Sequence, residues 1–478
     1  MKNSVVHSID CGSQSCHSQL MKSSSLKTKT ISVWLRLSGI SAFLSLLFLS
    51  ALPAEDWPQW RGPLSNGVSG ESGLPDRWSA GEHIAWKAAL AGLGASSPIV
   101  WGDKIFVTSQ TGIVPVQPGM RPQLARDDQD LASRENPIGG RNTKAAGPGE
   151  EVALIVEAFS RSNGSRLWKY SMPATGEFPE LSEKHNLATP TPVTDGKIIY
   201  ALFGNGQLVA LDMDGHPVWT RHLGKEYSPF IVSWGHGSSP TLYKDFLIVL
   251  CDHTRKSYLL ALDKSSGKEL WNVDRGSGRV AHATPFVVAG PKGDELIINS
   301  SVRIDAYNPV NGELLWYAGS QRQTPVPSPV FHNGVIYLSR GYRNSDFMAI
   351  RPGGQGDVSS SSIVWHVPSG ASYVPSILFY DGLLYVTNEV GIVTCADAET
   401  GKQVWRQRLG GIFFASPVAG DGKIYMVSET GETFVLKAGR EPVILAQNNL
   451  DERMLASPAI SNGRLFLRSD GTLFCIGK

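Results

Sequence analysis

The stretch Ala261-Leu262-Asp263-Lys264-Ser265-Ser266-Gly267-Lys268-Glu269-Leu270-Trp271 decides the fold, because its skeleton Ala-x-Asp-x-x-x-Gly-x-x-x-Trp returns along the chain. It reads Ala306, Asn308, Gly312, Trp316 in the next copy, and Ala158, Ser160, Gly164, Trp168 and Cys395, Asp397, Gly401, Trp405 in two others. A further copy, Ala210, Asp212, Gly215, Trp219, is one residue shorter. Recurrence at a fixed period means stacked units, each too small to bury its own hydrophobic face.

Upstream of each copy stands Ser/Thr-Pro, followed by Asp-Gly or Asn-Gly and a β-rich run: Ser328-Pro329 with Asn333-Gly334, Ser416-Pro417 with Asp421-Gly422, Ser457-Pro458 with Asn462-Gly463. Asn-Gly and Asp-Gly tolerate positive φ and match the twist of a tight hairpin, so each marks strand, turn, strand. The Asp-x-x-x-Gly stretch is a second turn. One unit is therefore four strands. The repeated prolines Pro98, Pro192, Pro240, Pro285, Pro329, Pro375, Pro417 and Pro458 count eight units, spaced after the first interval by 41 to 48 residues, the length of a four-stranded propeller blade. The eighth unit stops after its third strand, and Ile84-Ala85-Trp86 matches the missing fourth. The expected fold is all-β, an eight-bladed propeller with four-stranded antiparallel blades, the last closed by an N-terminal strand, which removes two exposed edges.

At these residues the chain resembles the pyrroloquinoline-quinone (PQQ) type repeat proteins, whose hallmark is a tryptophan-docking motif of this form. The resemblance covers roughly residues 84–478. It implies the propeller and docking roles for Trp86, Trp168, Trp219, Trp271, Trp316, Trp365 and Trp405; a place between neighbouring blades would account for them without any ligand. The family holds quinoprotein alcohol dehydrogenases and also non-enzymatic relatives, including the outer-membrane barrel-assembly lipoprotein, so fold does not decide function.

Residues 1–54 carry Lys22, Lys27, Lys29 and Arg36 ahead of an apolar run, Leu37 to Leu52, ending Leu52-Pro53-Ala54. This reads as a secretory signal peptide cleaved after Ala54, with Met21 as an alternative start. The expected address is periplasmic or secreted, with no membrane span after cleavage. No cysteine lies at the cleavage point to carry a lipid anchor. Losing five basic residues and one acidic residue takes the net charge from +1 to about −3, which argues against nucleic acid as a partner. Cys251, Cys395 and Cys475 remain; the last two stand at the small position of the repeat and read as buried thiols. Residues 55–83 form an extension expected to pack on the propeller, with Trp57-Pro58-Gln59-Trp60-Arg61-Gly62-Pro63 as a rigid apolar clip. That segment resembles the N-terminal feature of secreted PQQ-like propellers from planctomycete-type bacteria.

A blade places both short turns on one rim and gathers second-to-third-strand loops and blade connections on the other. There fall the insertion at 111–150, irregular by its Pro, Gly, Arg and Asp content, and the ligand candidates His185, His236, Asp252, His253, His282, Arg303, Arg322 and Arg340, with Arg343 beside them. Imidazoles with a carboxylate suit a divalent metal and arginines an anion, but no compact ligand motif exists and the metal is undefined. The expected role is binding or scaffolding in the cell envelope, to an envelope protein or small ligand, as a monomer.

The competing reading is a PQQ-dependent alcohol or sugar dehydrogenase. The resemblance implies for it calcium held by oxygen ligands against the quinone, an Asp base, and often adjacent half-cystines. The chain has no adjacent cysteines and no Cys-x-x-Cys-His; Asp252 or Asp305 are the available bases. Gly-x-Ser-x-Gly, His-Glu-x-x-His and phosphate-loop motifs are absent, so no catalytic residue is assigned.

Overall fold

The computed structural model describes residues 55–112, 151–179, 181, 184–232, 234–320, 325–342 and 346–477. Among the described residues thirty-three strands form eight blades; the thirty-two after Ile84–Ala89 make, in sequence order, seven blades and three quarters of the eighth, counting Gly356–Asp357 as an addition to blade 4. Blade 3 is typical: Thr241–Tyr243, Phe246–Cys251, Ser257–Asp263 and Glu269–Gly276 pair antiparallel in that order. The hairpin dipeptides act as their chemistry requires. Asn333 and Gly334 have φ of 44° and 75°, Asp421 and Gly422 of 55° and 68°, the double positive φ of a type I′ turn. Blade 8 joins both ends of the chain: Ile84–Ala89 pairs antiparallel with Thr472–Ile476, Trp86 opposite Cys475. Among the described residues no helix is long and apolar enough to cross a membrane.

The repeat skeleton has a packing reason. Across the ladder from each repeat tryptophan stands a small residue, as in Ala158–Trp168, Ala261–Trp271 and Cys395–Trp405. One residue further the register slips, a bulge that turns the outer strand. Cys251, Cys395 and Cys475 are buried and unpaired. The indole then lies on the glycine of the following blade: a Cβ on Gly267 would come 2.8 Å from Trp219, and one on Gly164 2.4 Å from Trp86. These indoles donate to the carbonyl three positions before that glycine, Trp86 to Arg161 and Trp219 to Lys264, each at 3.0 Å. Trp316 departs from the expected placement. It is fully buried and donates to Glu295 Oε2 in its own blade at 2.6 Å. The cause is the long third-to-fourth-strand connection of blade 5, whose Gly356–Asp357 pairs parallel to Leu314–Ala318 and covers the indole.

The Ser/Thr before each proline links the blades in series around the axis, in a ring left open between Ser457 and Ser97, whose Oγ makes no hydrogen bond. The amide of Ser97 donates to Thr191 Oγ1, that of Thr191 to Ser239 Oγ, and so on through Thr284, Ser328, Ser376 and Ser416 to Ser457, at 2.8–3.1 Å. In blade 6 the ring residue is Ser376 and Ile377 holds the proline position, so Pro375 lies two residues out of register with the other repeated prolines.

Residues 55–83 cross the face that carries the first hairpin turns. Trp57 exchanges two 2.9 Å hydrogen bonds with Val100 of blade 1. The Arg61 guanidinium donates to the Ile377 carbonyl of blade 6 at 2.8 Å. Val68 bridges Ala419 of blade 7, and Glu71 accepts from the turn amides of Asn462 and Gly463 in blade 8. Trp57, Leu74 and Trp78 bury completely or nearly so in the core shared by blades 1, 7 and 8.

Candidate functional site

On the propeller axis lies a chamber of about 140 Å³. Its floor is Trp60, carried in by the N-terminal strap and held by an indole hydrogen bond to Ser328 Oγ at 3.3 Å. The Ser/Thr ring forms the lower wall. Two residues upstream of each ring position a side chain faces the space: Val326, Val374, Phe414 and Leu455 on one side, Thr189 and His282 on the other. Over this space Lys184, from the connection between blades 1 and 2, reaches Glu429 of blade 7 and lies 4.9 Å from the Phe414 ring centre. Burial raises the Glu429 carboxyl, but Lys184 and Arg453 outweigh it and hold it below the usual carboxylate range.

Beside the chamber four histidines come together. His236 Nδ1 lies 3.1 Å from His253 Nε2, and the His185 and His282 rings are 5.9 Å apart. Phe230 packs on both His236 and His253, centres 4.9 and 4.5 Å away. Gly237 makes room, since a Cβ there would come 3.3 Å from His185 Cε1. Burial, reinforced by mutual repulsion, pushes all but His185 far down: His253 and His282 to about 3, and His236 in the same direction. Burial alone takes His185 to about 4. The cluster is therefore neutral at pH 7; His185 Nδ1 and His253 Nδ1 make no hydrogen bond, while the His282 ring meets the Gly235 backbone. No three of these side chains, nor any other His/Cys/Asp/Glu group among the described residues, converge at metal-ligand distance.

The other sequence candidates are engaged elsewhere. Asp252 turns from the histidines to Arg275, which grips it through two bonds of 2.7 and 2.9 Å. Arg275 also reaches Asp305 at 3.1 Å, and Arg303 and Arg279 approach the same carboxylate at 2.6 and 3.2 Å. Arg275, Asp252 and Asp305 have no exposed side-chain surface. Burial would lower the Arg275 pKa, yet Asp252, Tyr307 and Asp305 outweigh it and raise it. Arg303 covers the Tyr317 ring at 3.6 Å. Arg340 directly follows the second strand of blade 5, where it is buried and bonds Asn299 Oδ1 at 3.1 Å, joining blades 4 and 5. Arg322, Arg343 and residues 113–150 of the insertion lie outside the described residues, as do residues 1–54 with the expected leader. Sequence reasoning missed Arg275, the Lys184–Glu429 pair and the axial place of Trp60. The ring hydroxyls had a signal, since they recur in every unit.

Residues 153–377 and 356–440 match the family of PQQ-type repeats described as outer membrane protein assembly factor BamB. The chain belongs to that family. The BamB-type match agrees with relatives of known name. The chain is 26% identical over 313 residues to the tetrathionate hydrolase of Acidithiobacillus ferrooxidans, covering 60% of this chain and 56% of that one. It is 22% identical over 314 residues to BamB of Yersinia pestis, covering 65% and 66%; it thus spans somewhat over half to about two thirds of these relatives. Among solved structures it resembles a europium-containing methanol dehydrogenase (TM-score 0.60, 13% identity, 87% of this chain and 90% of that one). It also resembles a quinohemoprotein alcohol dehydrogenase of Pseudomonas putida HK5 (TM-score 0.61, 11% identity, 88% and 80%). At such identity the likeness is one of fold.

The residues of the chamber do not fit the quinone and calcium that the dehydrogenase reading requires. Pockets for ligands of that size enclose roughly 300–1,000 Å³, against about 140 Å³ here. Calcium takes six to eight oxygens, carboxylates prominent among them, yet no Asp or Glu among the described residues lines the space. The two carboxylates available as a base, Asp252 and Asp305, are buried in the Arg275 network.

Proposed function

We propose that this BamB-type propeller is a binding or scaffolding module of the bacterial cell envelope, exported by its N-terminal segment and acting as a monomer. One observation carries the reading: the two faces are unlike. The short-turn face is covered by the strap, whose bonds run from Val100 to Gly463. The opposite face gathers the blade connections, and the paired ends Thr111 and Ala153 that flank the insertion. A partner envelope protein therefore docks on the connection face. The printed name of the Yersinia relative, an assembly factor, supports a partner of that kind. The dehydrogenase reading finds no carboxylate among the described residues at the chamber wall to serve it.

A photo-crosslinking residue tests the assignment when placed at exposed Lys256, in the second-to-third-strand loop of blade 3, and separately at exposed Lys292, in the first turn of blade 4. The expected outcome is a discrete crosslinked envelope protein from position 256 and none from 292. Crosslinks from 292 alone, or from neither, contradict it.

A further inference from the structure

We propose that a groove at the short-turn end of blade 4 is a binding site for a small aliphatic zwitterion that enters ammonium first, an amino acid in class. The inference goes beyond the envelope-binding reading and does not rest on it. The groove encloses about 390 Å³, within the roughly 300–1,000 Å³ of small-molecule sites. It lies where the joint between blades 4 and 5 departs from the others. The long connection of blade 5 turns there through Gly353 and Gly354, with φ of 93° and 111°, and both line the groove. The strap's bonds run to blades 1, 2, 6, 7 and 8 and to the axis, and Lys244 and Lys292 at the groove are exposed.

Glu295 sets the inner end. It lines the groove and is 3% exposed. Both hydrogen bonds to its carboxylate fall on Oε2, from Trp316 Nε1 at 2.6 Å and from the Gly353 amide at 3.2 Å. Oε1 receives none, yet it is not sealed from solvent as the unpaired histidine nitrogens are. Gly290 gives it room, since a Cβ there would come 2.3 Å from Oε1. Water supplies that oxygen with a donor but no charge, whereas an ammonium supplies both. A guanidinium fork is matched to two free oxygens, a compact ammonium to one. No His/Cys/Asp/Glu group among the described residues converges here to hold a metal instead. At the mouth, Asp294 accepts from the Tyr243 hydroxyl at 2.8 Å, and Lys244 lies 4.8 Å from the same ring's centre. These three are matched to one another. Lys292 has no ion-pair partner among the described residues, so the groove's two unmatched charges are the buried Glu295 and the exposed Lys292. Val310 and Leu315 supply an aliphatic wall. A zwitterion satisfies both ends, its ammonium on Glu295 and its carboxylate toward Lys292.

The probes ε-aminocaproate, hexylamine and caproate share one carbon-chain length and differ only in their charged ends; each is titrated by calorimetry at pH 7.5 into residues 55–478. The expected result is saturable, one-to-one binding of ε-aminocaproate, with hexylamine about two- to fivefold weaker, the worth of one exposed ion pair. Caproate should not bind. Glu295→Gln keeps an acceptor for Trp316 and should weaken both amines at least about tenfold, through loss of a charge-assisted hydrogen bond. Lys292→Met should bring ε-aminocaproate down to the level of hexylamine. Val310→Arg changes a wall residue that is 50% exposed and should block the groove with its own cation; it decides the matter if Glu295→Gln lacks a cooperative thermal transition. Absence of saturable ε-aminocaproate binding, caproate binding as tight as that of the amines, or ε-aminocaproate no tighter than hexylamine overturns the proposal. So does an ε-aminocaproate affinity unchanged in Lys292→Met or in either folded variant of the other two.

Discussion

Deleting Ile84–Ala89 is expected to abolish cooperative folding of the propeller or to lower its stability by more than about 5 kcal/mol. The strand supplies the whole outer ladder of blade 8, pairing with Thr472–Ile476. It also supplies Trp86, which lies on Gly164 of blade 1 and donates to the Arg161 carbonyl. Truncating one buried tryptophan costs roughly 3–5 kcal/mol, and here five strand partners are lost with it. Domains are stable by roughly 5–15 kcal/mol in total, so the ring has little left after that loss. The amide of Gly477 already donates to the His83 carbonyl at 3.0 Å, so the two ends are close. Moving residues 84–89 behind residue 478 through a short turn should therefore restore the melting transition. An unchanged unfolding midpoint in the deletion would mean that the ring closes without this strand.

Acid should unfold this chain well above the pH at which its carboxylates titrate. A histidine unfolds to a pKa of roughly 6.5, whereas His253 and His282 sit at about 3 in the fold and His236 is held in the same direction. The unfolded state then binds more protons throughout that window, so stability is complete above pH 6.5 and falls as pH drops toward the folded values. Each such group contributes roughly 1.4 kcal/mol per pH unit, so two of them remove roughly 3 kcal/mol per unit. Urea midpoints at pH 7.5 and 5.5 measure this directly. The expected result is a large fall, reduced in His282→Gln; equal midpoints would show that the imidazoles are reached by water.

The period and the turns were legible because they answer to local chemistry. Gly267 must be glycine for its φ and for the indole above it, and Asn333-Gly334, like Asp421-Gly422, suits a turn with two positive φ angles. The convergence of His185, His236, His253 and His282 was half legible: their places in successive connections put them on one rim, but only packing on Phe230 and the space at Gly237 draws the rings together. Arg275 was invisible, since it stands on the outer strand of blade 3 with nothing in the repeat to mark it, and its two carboxylates lie 23 and 30 residues away. Trp316 shows the limit of a periodic argument. Its sequence position is regular, and an insertion in the next blade redirects it to Glu295.

The most direct test of a propeller that binds partners without quinone chemistry is a titration of residues 55–478 with pyrroloquinoline quinone, with and without calcium, followed by absorbance and thermal shift. The chamber's volume and its lack of a lining carboxylate among the described residues predict no saturable change in either signal. Stoichiometric, calcium-dependent binding with a raised melting temperature would contradict the account and return the chain to the dehydrogenases it resembles in fold.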